Sequence, residues 1–73
     1  MDELNNFARN VARLRRVRGV SKRELAKELR IGRWSMDRLD GGEFPVRLGA
    51  QSLFYAARYF GVSVSSLLQD ADG

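Results

Sequence analysis

Leu4, Phe7, Val11 and Leu14 recur at intervals of three and four residues, and similar spacing runs through most of the chain. Apolar residues placed this way fall on one side of an α-helix, whereas a half-buried strand alternates every second residue. No stretch shows that alternation, and there is no repeat or low-complexity tract, so the sequence predicts an all-α fold. Ala8 and Ala12 flank the first stripe, while Arg9, Arg13 and Arg16 form a separate basic stripe on the same helix. Five arginines crowd the segment from Arg9 to Arg18, and attraction to the helix dipole explains only the last of them.

Local punctuation divides the pattern into five helices. Gly19 closes the first helix, as glycine commonly does just beyond a C-terminus. Ser21 opens the second with a capping box, in which Ser21 accepts from the Glu24 N–H and Glu24 reaches back to the Ser21 N–H. Leu25, Ala26 and Leu29 face inward, and this helix ends near Arg30. Only Arg30, Ile31 and Gly32 precede the next apolar-periodic segment, and so short a link sets two helices at a steep angle. With Gly32 as N-cap, the third helix runs from about Arg33 to about Gly41 with Met36 and Leu39 inward. The segment from Asp40 to Ala50 is a loop, broken by Gly41-Gly42 and by Pro45, which turns Phe44 away from helical angles. A fourth helix, from about Gln51 to Phe60, places Leu53, Phe54, Ala57 and Phe60 on its apolar side. Gly61 stops it, Ser63 caps a short fifth helix carrying Val64, Leu67 and Leu68, and residues 69–73 read as a frayed tail. The expectation is one compact domain spanning 1–73, with an ordered core of about 4–69.

Composition narrows the function. Without cysteine, no disulfide or cysteine-bound metal supplements a core of this size, and a reducing cytoplasm is the expected location. The longest apolar stretches fall well short of the ~20 residues that cross a bilayer, and the N-terminus lacks the layout of a secretion signal. Residues 9–38 hold eleven Lys or Arg against three acidic residues, a local balance of +8, whereas the whole chain carries +4. A basic half beside an acidic remainder directs one face toward a polyanion; the alternative is a solubilising cationic surface. Catalysis is not expected, because there is no histidine or cysteine and Asp37, Asp40 and Glu43 lack metal-ligand spacing. No cofactor, metal or small-molecule ligand is expected either.

The segment from Ser21 to Gly42, SKRELAKELRIGRWSMDRLDGG, resembles the helix-turn-helix of the phage Cro and lambda-repressor family (XRE-type regulators). Leu25, Ala26, Leu29, Ile31, Met36 and Leu39 match the family's buried positions, and Ala26 is the small residue at which the two helices cross. Asp40-Gly41-Gly42 is similar to the family's close of its third helix, and Gly61-Val62-Ser63 to the start of its fifth. The resemblance covers about residues 4–69. Arg30 departs from it by standing where the family usually has glycine, and a positive φ there carries roughly 1 kcal/mol of strain. Lys22 replaces a frequent glutamine, and Pro45 comes early in a longer loop. The resemblance also implies an ion pair between Arg15 and Asp40.

It further implies a lambda-repressor-like domain that binds double-stranded DNA as a homodimer at an inverted repeat and regulates transcription as a repressor. Such a protein works in the cytoplasm on the nucleoid, with no membrane role. With Met36 and Leu39 inward, Arg33, Trp34, Asp37 and Arg38 face outward, where the N-terminal part of such a helix enters the major groove. Arg33 and Arg38 can each bond guanine O6 and N7, Asp37 can accept from cytosine N4 or repel wrong registers, and Ser35 lies close by. Trp34 has three readings: cover for a thymine methyl, a lid folded back over Ile31, or a self-association contact. Ser21, Lys22 and Arg23 at the start of the second helix, Arg47 in the loop, and the bare backbone of Gly41 and Gly42 are the expected phosphate contacts. Val64, Leu67 and Leu68, with Tyr55 or Tyr59 nearby, are candidates for a dimer contact, or else they close the core. The competing function is a protein-interaction module, such as an antitoxin or accessory subunit with the same fold, whose mark is an apolar outer face on the third helix.

Overall fold

Asp2 sets the first helix going: its carboxylate accepts from the N–H groups of Leu4 at 3.1 Å and Asn5 at 3.2 Å. The computed structural model describes residues 2–70, and among them are five helices and no strand. These are α1 (Glu3–Val17), α2 (Lys22–Leu29), α3 (Arg33–Asp40), α4 (Gln51–Phe60) and α5 (Val64–Leu67). Positions 71–73 of the expected tail lie outside the described residues. Gly19, at φ +68°, ends α1 with the Gly19 N–H bonded to Arg16 O and the Val20 N–H to Arg15 O. Ser21 accepts from the Glu24 N–H at 3.0 Å, and Ser63 from the Ser66 N–H at 3.0 Å. The reciprocal half of the capping box does not form, because the Glu24 carboxylate accepts from the Tyr59 hydroxyl of α4 instead, at 3.1 Å.

Packing assembles these helices around Phe7, Val11, Leu25, Leu29, Met36, Leu39, Phe60 and Leu67, all buried. Helix α1 lies against α3, α4 and α5, and α2 against α3 and α4. The loop after α3 is drawn in by Phe44, whose ring meets Phe7 edge-on at 5.7 Å and whose N–H donates to Asn5 Oδ1 at 3.1 Å.

Two apolar assignments, on α1 and α4, are corrected. Leu4 is 43% exposed, because the first turn of α1 projects past the core. In α4, Phe54 is 63% exposed and Leu53 only half-buried, while Ser52, Ala56, Ala57 and Phe60 take the inner face. Ser52 tolerates this because its hydroxyl donates to Gly49 O at 2.8 Å, and the small residues let α4 come close to its neighbours. Of the two readings open for α5, Leu67 takes the second: it is 2% exposed and closes the core, with Val64 and Leu68 half-buried beside it.

Candidate nucleic-acid interface

The turn between α2 and α3 rests on one arginine. Arg30 sits at φ 60°, ψ 45°, the left-handed conformation that suits glycine. Its N–H bonds to Lys27 O at 3.2 Å and that of Ile31 to Ala26 O at 3.0 Å, which reverses the chain at the end of α2. A side chain here costs roughly 1 kcal/mol. The Arg30 guanidinium offsets part of it by standing 4.8 Å from the centre of the Tyr55 ring. Gly32 then caps α3 in an extended conformation without a side-chain bond, leaving the first N–H groups of that helix open.

Beyond that cap, Met36 and Leu39 are buried and Arg33, Trp34, Asp37 and Arg38 are exposed. Trp34 does not fold back: it is 57% exposed, and the Arg38 guanidinium lies 4.9 Å from its ring centre. Arg38 Nη1 also donates to Glu43 Oε1 in the following loop at 2.8 Å. Lys22, at the start of α2, bridges to Asp37 at 3.1 Å. Both ion pairs are about half-exposed, and pairs of that kind contribute at most about 1 kcal/mol, so an incoming anion or base can replace either. Lys22, Arg23, Lys27 and Arg33 rim a groove between α2 and α3 whose floor includes Ala26, Ile31 and Met36.

The other candidates divide. Ser21 and Arg23 are exposed at the start of α2. Ser35 is half-buried in a cleft between the beginnings of α3 and α4, where it shares the lining with Arg47 rather than with the outer face. Gly41 is exposed, but Gly42, at φ +88°, is half-buried, and a Cβ on it would come 3.2 Å from Arg9 Cγ. Its bare Cα therefore makes room for the stem of an α1 arginine.

Arg15 Nε donates to Asp40 Oδ1 at 2.8 Å and Nη2 to Oδ2 at 3.2 Å, while Nη1 donates to Val20 O at 3.0 Å. Burial pushes the Asp40 carboxyl up, but the Arg15 bond and the charges of Arg15, Arg16 and Lys22 outweigh it and hold the group below its ordinary value.

No protein-family model, curated protein or solved structure matches the chain. Among the described residues there is no cluster of metal-ligating side chains, and no helix is long and apolar enough to cross a membrane. Sequence reasoning missed Glu43 as the partner of Arg38, and missed Asn6 and Asn10, which hold Arg9 and Arg13. The second omission had a signal, since each asparagine stands three residues before its arginine.

Proposed function

We propose that the chain is a sequence-specific, double-stranded DNA-binding regulator of the Cro and lambda-repressor type, with α2 and α3 as its helix-turn-helix. The observation that carries this reading is the outer face of α3. It holds Arg33, Trp34, Asp37 and Arg38 in solvent above two buried residues, beside an α2 that begins with exposed Lys22 and Arg23. A helix projecting a cationic, hydrogen-bonding ridge suits a major groove, where arginine reads guanine and tryptophan covers a thymine methyl. A protein-docking α3 would instead carry fewer charged side chains at the centre of its outer face.

So small a domain reads few base pairs, and the proposal includes a homodimer on half-sites about 34 Å apart that represses by occupying promoter DNA. Selection of binding sites from random duplexes tests all of this at once. The expected product is an inverted repeat. Uniform weak binding to every duplex overturns the reading.

A further inference from the structure

The arginine stripe of α1 plays no part in that account, yet its heads are held from beneath. Asn6 Nδ2 donates to Leu68 O at 3.2 Å, and Asn10 Nδ2 donates to Leu67 O at 2.8 Å and Gln69 O at 2.9 Å. With the amide nitrogens committed to carbonyls at the end of α5, each amide oxygen faces the arginine three residues on. Arg9 Nη2 donates to Asn6 Oδ1 at 2.6 Å and Arg13 Nη2 to Asn10 Oδ1 at 3.4 Å. Both asparagines are buried, so the guanidinium groups hang from fixed anchors. Arg16 Nη2 in turn donates to the Asp40 carbonyl at 3.1 Å.

Arg9 and Arg13 differ electrically from the cations on and beside α3. Lys22 and Arg38 face carboxylates, whereas Arg9 and Arg13 bond neutral amide oxygens and keep their full charge. With Arg16, Ala12, Gly41 and Gly42 they line a shallow groove whose one lining carboxylate, Asp40, is gripped by Arg15 and also bridges to Arg16 at 3.5 Å, so that Arg9 and Arg13 carry the open charge. A cation that is ordered but not neutralised has given up rotamer freedom in advance and loses less on meeting an anion.

We propose that Arg9, Arg13 and Arg16 form a second polyanion surface that follows the sugar-phosphate backbone of the duplex read by α3; this rests on the DNA-binding reading above. The stripe joins the C-terminal end of α3 directly, through the Arg16 bond to Asp40 and the seat of the Arg9 stem on Gly42. From position 9 to position 16, α1 rises about 10.5 Å at ~1.5 Å per residue. That is the axial length of about three phosphate-to-phosphate steps of one strand, at ~3.4 Å per step, so the stripe spans about four successive phosphates. Guanidinium forks match phosphate oxygens two at a time, and the surface carries no base-reading geometry.

The test compares the wild-type chain with the double variants Arg9→Gln/Arg13→Gln and Arg9→Lys/Arg13→Lys over a salt series. Both a selected duplex and a scrambled one are used, with helicity and thermal melting confirming that each protein is folded. In the glutamine variant the slope of log K against log[salt] is expected to shrink by about 1.8 per bound protomer, at about 0.9 per phosphate. The loss falls on both duplexes alike and leaves their affinity ratio unchanged, and the lysine variant, which keeps both charges, keeps the slope. A glutamine variant with the full slope overturns the proposal and leaves the stripe to some other acidic partner, such as a protein. Loss of preference for the selected duplex alone overturns it too. A wild-type chain that binds no duplex removes both readings, so the two failures are distinguishable.

Discussion

Arg15 grips Asp40 with two near-parallel bonds, and in doing so fastens the last residue of α3 to α1. The same guanidinium also holds the Val20 carbonyl in the link to α2, so one side chain joins three segments. The pair is only 17% and 15% exposed, which leaves either partner poorly solvated if the other is removed. Asp40→Ala is expected to lower stability by about 1–3 kcal/mol, read as a shift of the urea midpoint at unchanged slope. Arg15→Lys should recover only part of the wild-type value, because an ammonium lacks the planar fork.

The same pair sets a pH dependence. The folded Asp40 carboxyl titrates below its ordinary value, so folding favours the ionised form. Its contribution is complete above the unfolded value of about 3.9 and disappears as pH falls through the lower, folded value. Denaturant titrations from pH 6 downward should show wild-type stability declining below about pH 4. Asp40→Asn should start lower and decline less steeply across that window. Parallel curves for the two proteins would remove Asp40 as the cause.

Strain and stacking nearly balance at Arg30. Arg30→Gly relieves roughly 1 kcal/mol of left-handed strain but removes a cation–ring contact of about 0.5–1 kcal/mol. The wild-type background should therefore respond by less than about 0.5 kcal/mol. In Tyr55→Leu, where the ring is gone, the same substitution should stabilise by up to about 1 kcal/mol. A double-mutant cycle in thermal or urea unfolding measures the difference.

Leu67 is a core residue, and its truncation should behave as one. Leu67→Ala is expected to lose about 2–4 kcal/mol, with the loss independent of protein concentration. A loss that grows on dilution would assign the residue to a subunit contact instead.

Substitutions around α3 should separate reading from anchoring. Arg38→Ala is expected to relax preference at one or two base pairs per half-site, and Lys22→Ala to weaken every sequence alike. Glu43→Gln frees the Arg38 head and should raise affinity modestly, by a few-fold at low salt and less at high salt. Duplex-binding isotherms of the three variants decide this, and equal loss at all sequences for Arg38→Ala would take it off the base-reading list.

The helix boundaries were legible because their causes are local. Gly19, Ser21, Gly61 and Ser63 each act within a few residues of themselves, through a left-handed φ or a hydroxyl accepting the N–H three positions on. The outward set on α3 was legible for a similar reason, since Met36 and Leu39 fix the rotation of a short helix. What escaped depends on partners far along the chain. Helix α4 turns Phe54 out and Ser52 in, a choice set by how closely small side chains let it approach other helices. Glu24 leaves its own helix end for a hydroxyl thirty-five positions away. Asn6 and Asn10 are likewise buried by partners far along the chain, the carbonyls of Leu67, Leu68 and Gln69.

Those two asparagines have a consequence for how the molecule comes apart. A single helical turn such as α5 has no independent stability in water, and this one is clasped by amides rooted in the longest helix. Its amide hydrogens should thus be shielded to nearly the depth of α1 itself. The smallest element fails with the whole rather than before it.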